Sequence, residues 1–176
     1  MLEVNTPKIL EPLSFRNFYK VECFDKYGNL KWEDDFKNLV VNTGLDDILT
    51  QYYKGSSYTA AHYLGLMAAT PTVAAGDTMA SHAGWTELSA IYDETNRPTL
   101  VLGSVASQSV DNSASKAAYS INTDSQTIGG AFLTTDNTKG GTGGTLIAAA
   151  AFSGGNKAVD SGDTLNVTAT LTAASA

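Results

Sequence analysis

The sequence predicts a mainly β domain: an antiparallel β-sandwich of about eight strands with one short helix. Segments that alternate apolar and polar residues recur along the chain between turn residues such as Gly, Asn and Asp. Beyond position 60 the chain consists largely of Ala, Thr, Ser and Gly with β-branched residues among them, a composition typical of tightly packed sheets. A parallel α/β fold needs repeated crossover helices, and only one helical pattern is present.

Length and composition indicate one domain and exclude several classes of protein. With 176 residues the chain can bury a sizeable core, and we divide it into an arm, residues 1–14, and a single β-sandwich domain, residues 15–176. Eleven basic against eighteen acidic residues give a net charge of −7, which argues against a nucleic-acid partner. The single cysteine excludes an internal disulfide and a Cys-rich zinc site. No apolar run is long enough to span a membrane and no secretory signal is visible, so no membrane partner is expected.

The arm has two interpretations. Proline at positions 7 and 12 keeps the residues before it extended. The arm is either a frayed terminus or a segment that docks on a neighbouring subunit, and deletion of residues 1–13 should then leave the fold intact and weaken assembly. The apolar residues that would make such a contact are Leu2, Val4, Ile9, Leu10 and Leu13.

A β-hairpin is predicted next. Its strands run from Phe15 to Phe24 and from Leu30 to about Phe36, around a turn at residues 25–29 in which Gly28 can adopt a positive φ. Both faces of the two strands mix apolar and charged residues. This mixture is typical of strands near a sheet edge.

One helix is predicted, from Asn42 to Lys54, with its regular part near 43–54. Thr43 is the expected N-cap, followed by Asp46 in a short form of the capping box, and Gly55 ends the helix. Four apolar residues recur at helical spacing, and we expect them to cover the open end of the β-core rather than bind a partner. They are Leu45, Ile48, Leu49 and Tyr52.

The rest of the chain predicts more strands and two loops. Residues 70–84 form a long irregular segment with Pro and Gly breakers, and Gly140 to Gly144 a turn or flexible loop. The predicted strands are His62–Ala68, Trp85–Tyr92, Thr99–Leu102, Ala117–Ile121, Thr127–Thr134, Thr145–Phe152 and Thr164–Thr172.

Residues that could carry chemistry are few. His62 and His82 could pair with Asp77, Glu87 or Asp93, but their spacing fits no metal or acid–base motif, so we expect no catalysis, no metal and no cofactor.

Three further features have structural interpretations. The acidic pair Asp34-Asp35 is expected to be a solvated strand end and Asp46-Asp47 a helix start. Cys23 is expected to be a small core residue. Trp85 either caps the core or presents its ring to a partner or a sugar.

Four segments resemble a family of small proteins encoded by tailed bacteriophages and prophages. They are NLVVNTGLDDIL at 38–49 leading into YKGS at 53–56, AGDTMASHAGWTE at 75–87, the dipeptide Arg97-Pro98, and GDTLNV at 162–167. The resemblance implies a non-enzymatic component of the virion and supplies no catalytic residues.

Within the particle, the first expectation is a capsid cement or decoration protein. It would bind the major capsid protein on the capsid exterior, self-associate there as a dimer or trimer, and be made in the host cytoplasm. Contacts are expected from the arm and from the loop around His82 and Trp85. Three alternatives stay open: a tail or neck component, a carbohydrate-binding module with Trp85, Tyr58 or Tyr63 as stacking platform, and an enzyme using the two histidines.

Overall fold

The structure, a computed structural model, describes residues 13–55 and 61–175. Within these ranges the chain forms nine strands and one helix, and every strand pairing is antiparallel. The elements are β1 (Leu13–Phe24), β2 (Leu30–Val40), α1 (Asn42–Tyr53), β3 (Tyr63–Ala68), β4 (Ser109–Asp111), β5 (Ala117–Ser120), β6 (Gln126–Thr134), β7 (Leu146–Ala151), β8 (Lys157–Val159) and β9 (Thr164–Ser175).

The strands form a curled sheet in the order β3-β6-β7-β2-β1-β9-β4, with β5 also pairing with β9 and β8 with β6. β2 joins the two halves because most of it pairs with β1, whereas Leu39 and Val40 pair with β7. The halves face each other across one core, and the Tyr119 hydroxyl of β5 donates a 2.8 Å hydrogen bond to the Leu64 carbonyl of β3. The predicted mainly β, sandwich-like antiparallel fold is therefore confirmed.

The predicted hairpin forms, but β1 lies inside the sheet. The turn is held by Asp25, whose carboxylate accepts hydrogen bonds from the backbone N–H groups of Tyr27 and Asn29, and Gly28 has φ +84°. Because β1 pairs with β2 on one side and β9 on the other, the predicted edge location is wrong. Its mixed pattern arises because one face of this antiparallel sheet meets the core and the other meets solvent.

Strands β3, β6 and β7 are buried on both faces. One face contributes to the large core cluster between the two halves, and the other packs in a smaller cluster against the irregular segment that follows β3. Within the sheet the strands also pack closely at Gly130, where a Cβ would lie 2.2 Å from the Ala150 carbonyl oxygen of the neighbouring β7. The smaller cluster contains Val41, Met67, Met79, Trp85, Phe132, Leu146 and Ala149.

Two predicted strands are replaced by irregular chain along the edge of β3. Residues 85–92 and 99–102 make only isolated bridges, at Glu87, Tyr92 and Thr99. The Leu64 N–H donates to the Pro98 carbonyl and the Ala68 N–H to the Thr86 carbonyl, so these segments cover the edge without continuous pairing. The short strands β4 and β8 were not predicted, because three residues are too few to show an alternating pattern.

Helix α1 occupies the predicted place but differs in its cap and its packing. Val41 occupies the N-cap without a side-chain hydrogen bond, and the Thr43 hydroxyl instead donates to the Leu146 carbonyl at 2.8 Å, so the predicted capping box is wrong. The helix approaches β7 at Gly44, where a Cβ would lie 2.2 Å from the Ile147 carbonyl oxygen.

This approach leaves most of the apolar stripe uncovered. Leu49 is 52% exposed and Tyr52 80% exposed, Leu45 is also exposed, and Ile48 is half-buried. The expectation that the stripe covers the β-core is therefore wrong for three of its four residues. The periodicity identifies an apolar face, but the close packing at Gly44 determines which way that face points. Within the described residues, α1 falls short of the length and apolarity that a membrane-spanning helix requires.

Candidate functional site

An apolar groove of about 560 Å³ lies beside α1. It is bounded by the first residues of β1, the last residues of β9, one side of α1 and the segment before and within β4. We call it the arm-side groove, because the arm joins β1 next to it. Its apolar lining residues are Phe15, Val40, Ile48, Tyr52, Val105, Val110, Leu133, Ile147, Leu171 and Ala173.

The strand register builds one wall of the groove. Phe15 of β1 lies opposite Ala173 of β9, so a large ring stands beside a small residue and leaves space next to it. Ser109 and Val110 of β4 pair with Thr172 and Leu171 of β9 and extend the same wall. α1 supplies the opposite side with Ile48 and Tyr52.

Polar groups near the groove lie deep. Asn17 lines it, is buried, and is paired in register with Asn38 of β2. The side-chain amide atoms of Asn38 and the Tyr19 hydroxyl are buried without a hydrogen bond of good geometry. Burial raises the pKa of Tyr19, against a smaller opposing effect of the Asn38 amide. Of these groups Asn17 lines the groove, and its side-chain amide has both a donor and an acceptor, as pairing with a peptide backbone requires.

The charge-bearing groups of the groove are few. Among the described lining residues, Asp47 and His62 are the ones with an acidic or a basic side chain. Asp47 accepts a 3.2 Å hydrogen bond from the Gln51 amide. Burial lowers the pKa of His62, against a smaller opposing effect of Asp47. An apolar groove with a few polar groups suits binding and specificity.

The loop proposed for partner contact is internally bonded. The indole N–H of Trp85 donates to Asp77 at 3.0 Å, and the His82 ring stacks on the indole with centroids 3.8 Å apart. His82 Nδ1 donates to the Trp85 carbonyl at 2.9 Å. Trp85 is 5% exposed and caps the smaller core cluster, so a partner at this loop would meet His82 rather than the indole.

Glu87, a possible partner of the histidines, is instead paired with Arg97. The Arg97 guanidinium donates to both carboxylate oxygens of Glu87, at 2.9 and 2.7 Å, and to the Asp136 and Gly141 carbonyls at 2.8 Å each. The Gly140 N–H donates back to Glu87 at 2.9 Å. This buried network joins the segment after β3 to the glycine-rich loop before β7.

Asp34 corrects another expectation. It is buried rather than solvated, and it accepts hydrogen bonds from the Ser153 N–H and hydroxyl and from the Gly154 N–H, with Lys157 at 3.3 Å. Burial by itself would raise the pKa of Asp34, but these donors outweigh it and lower the pKa. The turn after β7 therefore surrounds the Asp34 carboxylate. The sequence gives no sign of this long-range contact, because the pair Asp34-Asp35 has the local pattern of a solvated strand end.

Cys23 is a buried core residue, as predicted. Burial, followed by the negative charge of Asp163, raises the pKa of the thiol to about 12. A thiol in this environment is nearly all protonated at neutral pH and therefore a poor nucleophile.

The structure separates the remaining predicted site residues. Leu2, Val4, Ile9, Leu10 and Tyr58 lie outside the described residues, and Leu13 begins β1. Tyr63 begins β3, and Asp93 is exposed and accepts a hydrogen bond from Asn122. Among residues 13–55 and 61–175, no three His, Cys, Asp or Glu side chains are grouped as metal ligands.

Sequence reasoning missed the arm-side groove. Its walls come from opposite ends of the chain, with Phe15 on β1 and Leu171 on β9. The apolar stripe of α1 was the one available signal, and it was assigned to the core.

Compared with protein-family models, curated proteins and solved structures, the chain matches none. The expectation of a bacteriophage family therefore depends on the sequence segments given above.

Proposed function

We propose that this chain is a non-enzymatic structural protein of a tailed-bacteriophage particle, a decoration protein that binds the major capsid protein on the capsid exterior. The observation that carries an assembly role is the arm-side groove, an apolar groove with few ionisable groups that suits contact with another protein chain of the particle. The bacteriophage assignment comes from the sequence resemblance.

The segments that carry the resemblance hold structural contacts in the described chain. Residues 38–49 run from β2 into α1 and include Gly44 at its approach to β7. Residues 75–87 contain the bonded Asp77, His82 and Trp85 and end at Glu87, the partner of Arg97.

The acidic composition favours the outside of the shell. A net charge of −7 repels packaged DNA. A decoration protein needs no single strong contact, since many weak contacts repeated on a symmetric lattice reinforce one another through effective concentration.

The test is binding to shells that lack the chain. Purified full-length protein is mixed with undecorated shells, and cryo-EM should show added density on the capsid lattice, with higher heat resistance of the shells. Shells that already carry the full complement are the control and should gain neither. Density at the tail or neck would support that alternative, whereas binding on a glycan array without shell density would favour a carbohydrate-binding module. Shells without added density and unchanged in heat resistance contradict the proposal.

A further inference from the structure

We propose that the arm-side groove binds residues 2–10 of a second copy of this chain, so that arms are exchanged between subunits. This inference deepens the proposed structural role, since it names the surface and the segment by which the chain self-associates.

The chemistry of the segment matches that of the groove. Leu2 and Val4 are two residues apart and would share one side of an extended segment, while Ile9 and Leu10 follow Pro7. The groove presents apolar walls from β1, β9 and α1, and the buried Asn17 adds a side-chain amide to its lining.

One opposite-charge contact is also available, although Glu3 and Glu11 give positions 1–12 more acidic than basic side chains. Lys8 is the one basic residue among positions 1–12, and it stands between Pro7 and Ile9. Asp47 is the acidic residue among the described lining of the groove. An extended segment with its apolar side chains in the groove can therefore place its cation near this carboxylate.

The path of the chain favours exchange between copies over folding back. Leu13 is already paired with Ser175, and Phe15, two residues later, is itself a wall of the groove. Glu11 precedes Pro12, and a residue before proline is biased towards extended backbone. A return of Ile9 into the groove of the same copy would need a chain reversal within residues 9–12, because Leu13 and Ser14 already pair with β9, and these four residues contain no glycine.

Disulfide trapping between full-length variants tests the inference. One variant carries Ile9→Cys and the other Val105→Cys, a groove residue that is 75% exposed and tolerant of replacement. After mild oxidation, intact-mass spectrometry should show a mixed dimer in several-fold excess over that formed with Leu102→Cys, an exposed neighbour that does not line the groove. The buried Cys23 should contribute little background.

A second pair of variants tests the groove without new thiols. In the Val105→Cys partner, the added change Ile48→Asp should reduce the mixed dimer several-fold. The matched change Leu49→Asp, on the same helix but outside the groove, should leave its yield unchanged.

Two other outcomes would each overturn the inference. The double variant Ile9→Cys/Val105→Cys is oxidised at high dilution. If it forms an internal disulfide and the mixed dimer is absent, the arm occupies the groove of its own copy. Equal yields with Val105→Cys and Leu102→Cys place the arm elsewhere. Because the experiment uses the purified chain in solution, its failure leaves shell binding to be judged separately, and failure of shell binding leaves this result standing.

Discussion

Arg97→Met should be the most destabilising single change in the buried network between the segment after β3 and the glycine-rich loop. The Arg97 side chain is 0% exposed and that of Glu87 8% exposed, and the guanidinium makes four hydrogen bonds between 2.7 and 2.9 Å. Its removal leaves the Glu87 carboxylate buried, with the Gly140 N–H as its remaining donor within residues 13–55 and 61–175. Removing one member of such a pair costs about 3–5 kcal/mol of the free energy of unfolding.

The assay is equilibrium unfolding in urea together with a thermal melt. For a domain of this size each kcal/mol lowers Tm by about 2–4 °C, so the expected fall is about 6–20 °C. Lys20→Met is the matched control, because it removes an ion pair with Glu33 at the surface and should leave the curve unchanged.

A double variant, Arg97→Met with Glu87→Leu, isolates the charge effect. It removes both buried charges and should recover much of the loss, though not all of it, because the Asp136 and Gly141 carbonyls stay without their donor. A loss below about 1 kcal/mol for Arg97→Met, the size expected of an exposed pair, would refute the reasoning. So would a double variant no more stable than the single one.

Three further predictions test other contacts. Gly44→Ala should destabilise the chain strongly, since the new Cβ would meet the Ile147 carbonyl oxygen at 2.2 Å. Gly76→Ala is the control, because a Cβ there has open space around it. Thermal melts followed by circular dichroism compare the two variants, and equal Tm values would contradict the packing at Gly44. Asp34→Asn should lower the free energy of unfolding at pH 7, because the folded-state pKa of Asp34 is lowered. The difference in free energy of unfolding between the two chains should be full above the ordinary pKa of 3.8 and shrink as the pH falls through the lower folded-state pKa. Urea titrations that show the same difference at every pH would be inconsistent with this. Cys23 should resist a thiol reagent at pH 8 in the native chain and react fully in denaturant, and rapid native labelling would show that the thiol is accessible.

Elements whose signals are local were predictable from the sequence. The hairpin follows from alternation on both sides of a turn in which Asp25 bonds the backbone and Gly28 takes a positive φ. β6, β7 and β9 follow from runs of alternating or small residues between turns, and each begins within one residue of its predicted start. Such signals depend on neighbours a few residues away, which the sequence displays directly.

Features formed by distant residues were not predictable. Asp34 has the same local pattern as a solvated strand end, and only the turn at Ser153, contributed by the far end of β7, makes it a buried acceptor. Trp85 to Tyr92 has the pattern of a strand, but it makes isolated bridges, from Glu87 to Met67 of β3 and from Tyr92 to Ile121. Glu87 is also bonded by Arg97, a contact from outside the segment that its local pattern does not show.

The amino-acid sequence by itself determined the mainly β class, the hairpin, the place of α1 and the internal role of Cys23, because periodicity, turn chemistry and composition act over short distances. The tertiary structure alone decided which side of α1 faces outward, since a steric contact at Gly44 with a strand a hundred residues later sets the rotation of the helix. It also decided that β1 lies inside the sheet and that its first residues form a groove with the last residues of β9. Surfaces of this kind arise from strand register between the two ends of the chain, and no local pattern encodes which ends meet.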